Sequence, residues 1–236
     1  MMNAGKAKKG DISLVNARPV LFAFIAFFIA LGLVDLLDGK MTFFDNIVAI
    51  VCFVLALWIG KEHHVTPLAA VLLGIVFMPN ALGHLDAYSW PILNYHWDWI
   101  VHTVASFCFS IALLDFLLEN KWCRNFLSAA LIVFFAAGTF GAVVEITEYW
   151  GFVLVGFGDG YLGFGAGDNS SNFGPWENSS IDTTNNLLGS LAGILVYSII
   201  FLNNNNNNSI NNNNRNNKNS NNNKNSNNKK KIYNRS

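Results

Sequence analysis

Six apolar runs, each near the length of a bilayer crossing, leave this chain few folds. A helix needs about 20 consecutive apolar residues to span the hydrocarbon core. The runs cover about residues 20–37, 46–60, 65–83, 98–118, 126–150 and 182–202. They are continuous rather than alternating, which predicts helices and not the strands of a barrel. Pro67 and Pro79 lie near the two ends of the third run, where a helix start or a kink tolerates proline. The expected fold is all-α: a polytopic transmembrane bundle of about six spans with a disordered C-terminal tail.

Composition agrees. Hydrophobic residues make up 52% of the 236-residue chain and charged residues only 13%, against about 25% charge in soluble domains. The net charge of zero conceals an asymmetry. Seven of the 15 Lys and Arg residues follow Leu202, whereas all 15 acids precede it. Segment 203–236, nearly all Asn, Ser and Lys, lacks the apolar area to fold and is expected to be disordered. Three regions are therefore expected: a basic N-terminus (1–19), the transmembrane domain (20–202) and the tail (203–236).

The N-terminal apolar run is longer than a signal-peptide core and lacks a small-x-small cleavage site, so it reads as a retained first span. Cys52, Cys108 and Cys123 show no metal or disulfide spacing and read as apolar packing residues. Basic residues set orientation. With the N-terminus inside, Lys6, Lys8, Lys9, Arg18, Lys61, Lys121, Arg124 and the tail cations are cytoplasmic, and only Lys40 is outside. Both termini are therefore expected in the cytoplasm. Trp58 and Trp122 then fall at the inner boundary, and Trp97, Trp99 and Trp150 at the outer one.

Ionisable residues inside spans are costly and usually face a protein interior. Asp98 and His102 open the fourth run four residues apart, on one helix face. Glu145 and Glu148 share a face near the end of the fifth, and Asp182 and Asn186 share one at the start of the sixth, continued by Gly189. In the expected topology all three groups reach the same, extracytoplasmic face. Gly138, Gly141, Gly189 and Gly193 would let these helices approach closely. Oxygen and imidazole donors of this kind suit a divalent cation such as Zn, Mn, Mg or Ca, which would also relieve repulsion among the carboxylates. The candidate metal ligands are Asp98, His102, Glu145, Glu148 and Asp182. Glu145, Glu148 and His102 are the candidate catalytic groups, and Asn186 and Gly189 support them. The plainer alternative makes these residues solvated interfacial groups, with Asp98 and Asp182 as helix N-caps.

The motifs Asp98-x-x-x-His102, Glu145-x-x-Glu148-Tyr149-Trp150 and Asp182-x-x-x-Asn186-x-x-Gly189 resemble those of the YjdF-like inner-membrane proteins and, more distantly, of the VanZ-like proteins associated with glycopeptide resistance. The resemblance covers about residues 20–202 and implies no settled reaction. Asp168 and Glu177 stand where that pattern carries further acids.

Other polar residues read more plainly. His63-His64 suits a solvated turn, Asp35 and Asp115 suit solvated span ends, and His84, Asp86 and His96 lie near enough to the outer boundary to join the cluster. Three functions remain open: a metal-dependent enzyme hydrolysing lipid or envelope precursors, an ion-coupled transporter, and a non-catalytic protein binding lipid or an envelope component. The expected partner common to all is the lipid bilayer, and no nucleic acid is expected.

Overall fold

The computed structural model of the protein describes residues 9–40, 42–85, 97–155 and 177–201. Among them the helices are α1 (Lys9–Leu37), α2 (Phe43–Ile59), α3 (Pro67–His84), α4 (Trp97–Glu119), α5 (Phe126–Val155) and α6 (Glu177–Phe201). No described residue is in a strand. Four stretches are long and apolar enough to cross a membrane: Asn16–Leu37, Trp97–Glu119, Phe126–Trp150 and Glu177–Phe201. The helix Phe43–Ile59 and the stretch Pro67–Gly83 are apolar but shorter. The six expected runs are thus all helical. At 1.5 Å per residue, the 17 residues of α2 reach about 26 Å, a little under the bilayer core.

Two helices begin earlier than hydropathy alone predicts. α1 starts at Lys9 and continues through Pro19, because the polar residues before the apolar run need no membrane to be helical. α6 starts at Glu177, so Asp182 lies inside the helix rather than at its N-cap, where it donates nothing to capping. Asp98 likewise falls in the first turn of α4, one residue past its start. Elsewhere the starts follow local chemistry. Thr66 Oγ1 accepts from Ala69 N at 3.0 Å with Pro67 at the first helical position of α3. Asn125 Oδ1 accepts from Ser128 N at 2.8 Å before α5.

The chain divides into two units, Met1–Ile194 and Leu195–Ser236. In the second, the described residues continue the helix, with Ser198 Oγ donating to Leu195 O at 2.7 Å. In the first, α1 packs on α2 and α3, α3 on α4, and α4 on α5. The core between α1, α2 and α3 is aromatic: Phe24, Phe28 and Phe77 surround Phe53, with ring centroids 5.6, 5.7 and 5.7 Å from it. Each such pair contributes about 0.5–1.5 kcal/mol beyond simple burial. Most remaining apolar side chains face outward, including Phe22, Leu33, Val51, Leu127, Phe135 and Leu195. A lipid-facing surface requires this.

Close backbone approach joins α4 to α6. A Cβ at Gly189 would sit 2.3 Å from the Thr103 carbonyl oxygen, and one at Gly193 would sit 2.6 Å from that of Phe107. The obstacle is backbone, which cannot rotate aside. Lipid offers helices little hydrophobic drive to associate, so such small-residue contacts decide whether they pack. Gly189→Ala is expected to lower stability by about 1–3 kcal/mol, the usual cost of overpacking, in steric-trap or denaturant unfolding measurements. An unchanged midpoint would contradict this contact.

Three sequence expectations are corrected at the helix ends. Asp35 and Asp115 are not solvated but buried, because each meets a partner from another segment. Asp35 Oδ2 accepts from Asn46 Nδ2 at 2.9 Å, and Asp115 is bonded to the Thr66 hydroxyl. The His63-His64 turn is half-buried and braced. His64 N donates to Asn120 Oδ1 at 2.6 Å, Asn120 Nδ2 donates back to the His64 carbonyl at 2.9 Å, and His63 sets its ring edge-on to Trp122 at 5.0 Å. The cysteines are free, Cys108 buried and the other two half-buried.

Candidate metal centre

Two matched polar rows hold α4 and α6 together. α4 presents Asp98, His102, Ser106 and Ser110, each four residues from the last, and α6 presents Asn178, Asp182, Asn186 and Ser190 at the same interval. That interval keeps each row on one face. The rungs pair Ser110 Oγ with Ser190 Oγ at 2.9 Å, Ser106 Oγ with Asn186 Oδ1 at 2.7 Å, and Asn186 Nδ2 with His102 Nδ1 at 3.2 Å. Gly141 of α5 makes room for this amide: a Cβ there would lie 2.6 Å from Asn186 Nδ2.

His102 is the hub. Its Nε2 faces Asp98 Oδ1 at 3.5 Å, and its Nδ1 faces Glu145 Oε1 at 3.4 Å. Asp98, His102 and Asp182 offer ligand atoms that all lie within 4.8 Å of one another, and so do His102, Glu145 and Glu148. The expected residues Asp98, His102, Glu145, Glu148, Asp182 and Asn186 are therefore brought together, with Gly189 at the helix contact beneath them. Apart from half-buried Glu148 and Asp98, these polar side chains are buried.

Asp182 is wholly buried, and its two oxygens differ. Oδ2 accepts from Asn178 Nδ2 at 2.7 Å, Oδ1 is buried with no N–H donor on it, and the carboxyl meets that of Asp98 in hydrogen-bond contact. Such an oxygen is costly unless a cation or a donor meets it. The sequence supplies no local counter-charge: residues 62–120 and 125–214 contain no Lys or Arg. Four carboxylates around one imidazole thus form a donor set of hard oxygens and one borderline nitrogen, suited to Zn or Mn. With an ion at Nε2, beside Asp98 and Asp182, Nδ1 would carry the ring proton and donate toward Glu145, and the Asn186 amide 3.2 Å away would then be a packing contact rather than a hydrogen bond. A carboxylate orienting a ligating histidine in this way is a common second partner in metal sites.

Ser106 and Ser110 carry no mark in the sequence, whereas Ser190 continues the Asp182–Asn186 face and Asn178 shows there only as a glycosylation triplet. Extending the Asp98–His102 series by one and two steps finds the first pair. Glu177 is exposed at the start of α6, and Asn178, a match to a glycosylation triplet, is buried against Asp182. The His84 side chain, residues 86–96 with Asp86 and His96, Asp168, and the tail lie outside the described residues.

Beside the cluster, between α5 and α6, is a groove of about 410 Å³. Ala142, Ile146, Tyr149 and Trp150 line it from α5, Ser179 and Thr183 from α6, and Glu145 belongs to its wall. Glu145 is thus shared by groove and cluster.

Apolar helices closing around one buried acid–imidazole cluster define a polytopic helical membrane protein with a candidate metal centre. Within that class, the chain belongs to the family described as "Predicted membrane protein (DUF2238)", whose model matches residues 17–205. This agrees with the YjdF-like character of the motifs and adds nothing to the more distant VanZ-like likeness. No curated relative and no solved structure matches the chain.

Proposed function

We propose that the protein binds a divalent cation through Asp98, His102 and Asp182 and uses it to hydrolyse a lipid or envelope precursor at the extracytoplasmic membrane face. The observation that carries this reading is the fully buried Asp182 carboxyl, which meets a second carboxyl, that of Asp98, beside His102. When bound, the ion would supply Lewis acidity toward water or a substrate oxygen. Glu145, in contact with both His102 and the groove, takes a proton from water as that water attacks the scissile bond. It then returns the proton to the leaving oxygen, and Glu148 stands half a turn or more farther out as its neighbour.

Transport has weaker support. The polar rows stop at Ser110 and Ser190, and the next buried acid of α4, Asp115, lies five residues on. At about 100° per residue that is about 140° around the helix, toward Thr66 of the α2–α3 connection. A path across the bilayer needs polar groups that continue, and these turn away.

The test uses the full-length protein in lipid nanodiscs, stripped with chelator and returned to Zn or Mn. One ion is expected to bind by calorimetry, and headgroup release from bilayer lipid is expected only with metal. Absence of binding to either ion would overturn the reading. The orientation has its own test: reporter fusions after Lys40 should report an extracytoplasmic position, and fusions after Lys61 or in the tail a cytoplasmic one. The reverse pattern would move the site to the inner face.

A further inference from the structure

We infer that Asn178 is a positioning residue of the metal centre: its side-chain amide ties the Asp98 and Asp182 carboxyls together and holds them in one arrangement beside His102. This rests on the metal reading above and names what fixes its two oxygen ligands.

The placement comes first. Asn178 is the second residue of α6 and lies about one turn before Asp182, on the same helix face. Its side chain is buried, at 5% exposure. An amide nitrogen carries two hydrogens to donate. Asp182 Oδ2 accepts one at 2.7 Å, and Asn178 is also hydrogen-bonded to the Asp98 side chain. The two carboxyls are themselves in contact. One side chain at the start of α6 therefore touches both acids of the Asp98–His102–Asp182 group, one on its own helix and one on α4.

The chemistry of an amide suits this task. It is neutral, so it orders two carboxylates without cancelling their charge, which stays available to a cation. A lysine or arginine in its place would fill the same lone pairs and compete with the ion, and residues 125–214 contain neither. The bond also chooses between the oxygens of Asp182. Oδ2 is taken by the amide, and Oδ1, with no N–H donor on it, is left for the ion. Ligating carboxylates are commonly held by such outer hydrogen bonds, and metal affinity falls when the bonds are lost.

Full-length protein in nanodiscs carrying Asn178→Leu or Asn178→Ala tests this with Mn. Leu keeps the branched shape of the amide and Ala does not, so the two variants share only the loss of the N–H donors. Each is expected to weaken Mn binding by about 10- to 100-fold in calorimetry, the usual cost of losing an outer partner of a metal ligand. At saturating Mn, the electron paramagnetic resonance spectrum of the bound ion should also change in both, because the two carboxylates no longer keep one arrangement. A residue that only packs α6 against α4 predicts something else: a lower unfolding midpoint without metal, and a bound-Mn spectrum identical to wild type. Should Asn178→Leu fail to fold, Asn178→Ala, which adds no bulk to the helix, decides alone. Mn affinity within about twofold of wild type, or an unaltered spectrum at saturation, overturns the positioning role and leaves the metal reading intact. Wild-type protein that binds no Mn overturns the positioning role as stated, and if it binds no Zn either, the metal reading falls with it.

Discussion

Replacing His102 with alanine is expected to weaken Zn or Mn binding by about 100-fold or more, the upper range seen when even outer partners of a metal ligand are lost. The imidazole is the only nitrogen donor in either ligand group, and it touches Asp98 through one ring nitrogen and Glu145 through the other. Removing it takes away a ligand and the spacer that separates two carboxylate pairs. Calorimetry on the wild type and the variant measures the loss directly. A purely structural histidine predicts something else: a lower unfolding midpoint with metal affinity intact. The two are separable because a bound ion stabilises the folded state by about 2.7 kcal/mol at a concentration 100 times Kd. Wild-type protein should gain that margin on metal addition and the variant should not. A variant that still gains it would remove His102 from the metal site.

Much of this arrangement was legible in the sequence because the relevant physics is local. Four-residue spacing puts Asp98 with His102 and Asp182 with Asn186 on shared faces whatever the tertiary structure. Apolar length orders the helices, and their alternating direction brings the three polar ends to one side. Two things were illegible, and both depend on partners far away in the chain. Asp35 and Asp115 each look like solvated span ends until Asn46 and Thr66 reach them from other segments. The brace of His64 by Asn120 bridges residues 56 apart. Helix starts form a third case. Hydropathy marks where a helix enters lipid, not where it begins, so it places the start of α6 at Asp182 and passes over Asn178 as a partner of that carboxylate, although its side chain fixes one oxygen of Asp182. The groove left no sequence signal, since its apolar wall reads the same as any lipid-facing stripe.

Glu145→Gln should separate chemistry from binding. The amide keeps the shape of the side chain but cannot accept a proton in the way a carboxylate does, so headgroup release is expected to fall about 100- to 10,000-fold, the usual contribution of a positioned general base. Metal affinity should change by less than tenfold, because Asp98, Asp182 and the Nε2 side of His102 remain in place. Glu148→Gln provides the contrast. Glu148 shares a face with Glu145 but is only half-buried and does not line the groove. Its loss should cost about tenfold, through the field at its neighbour rather than through proton transfer. The order of the two effects is the test, since repulsion between adjacent carboxylates alone would make the variants alike. If Glu148→Gln proves the more damaging, the base is the outer residue and water approaches from the far side of the imidazole. If neither changes the rate while metal still binds, Glu145 is only a partner of His102 Nδ1, and the proton must leave by another route.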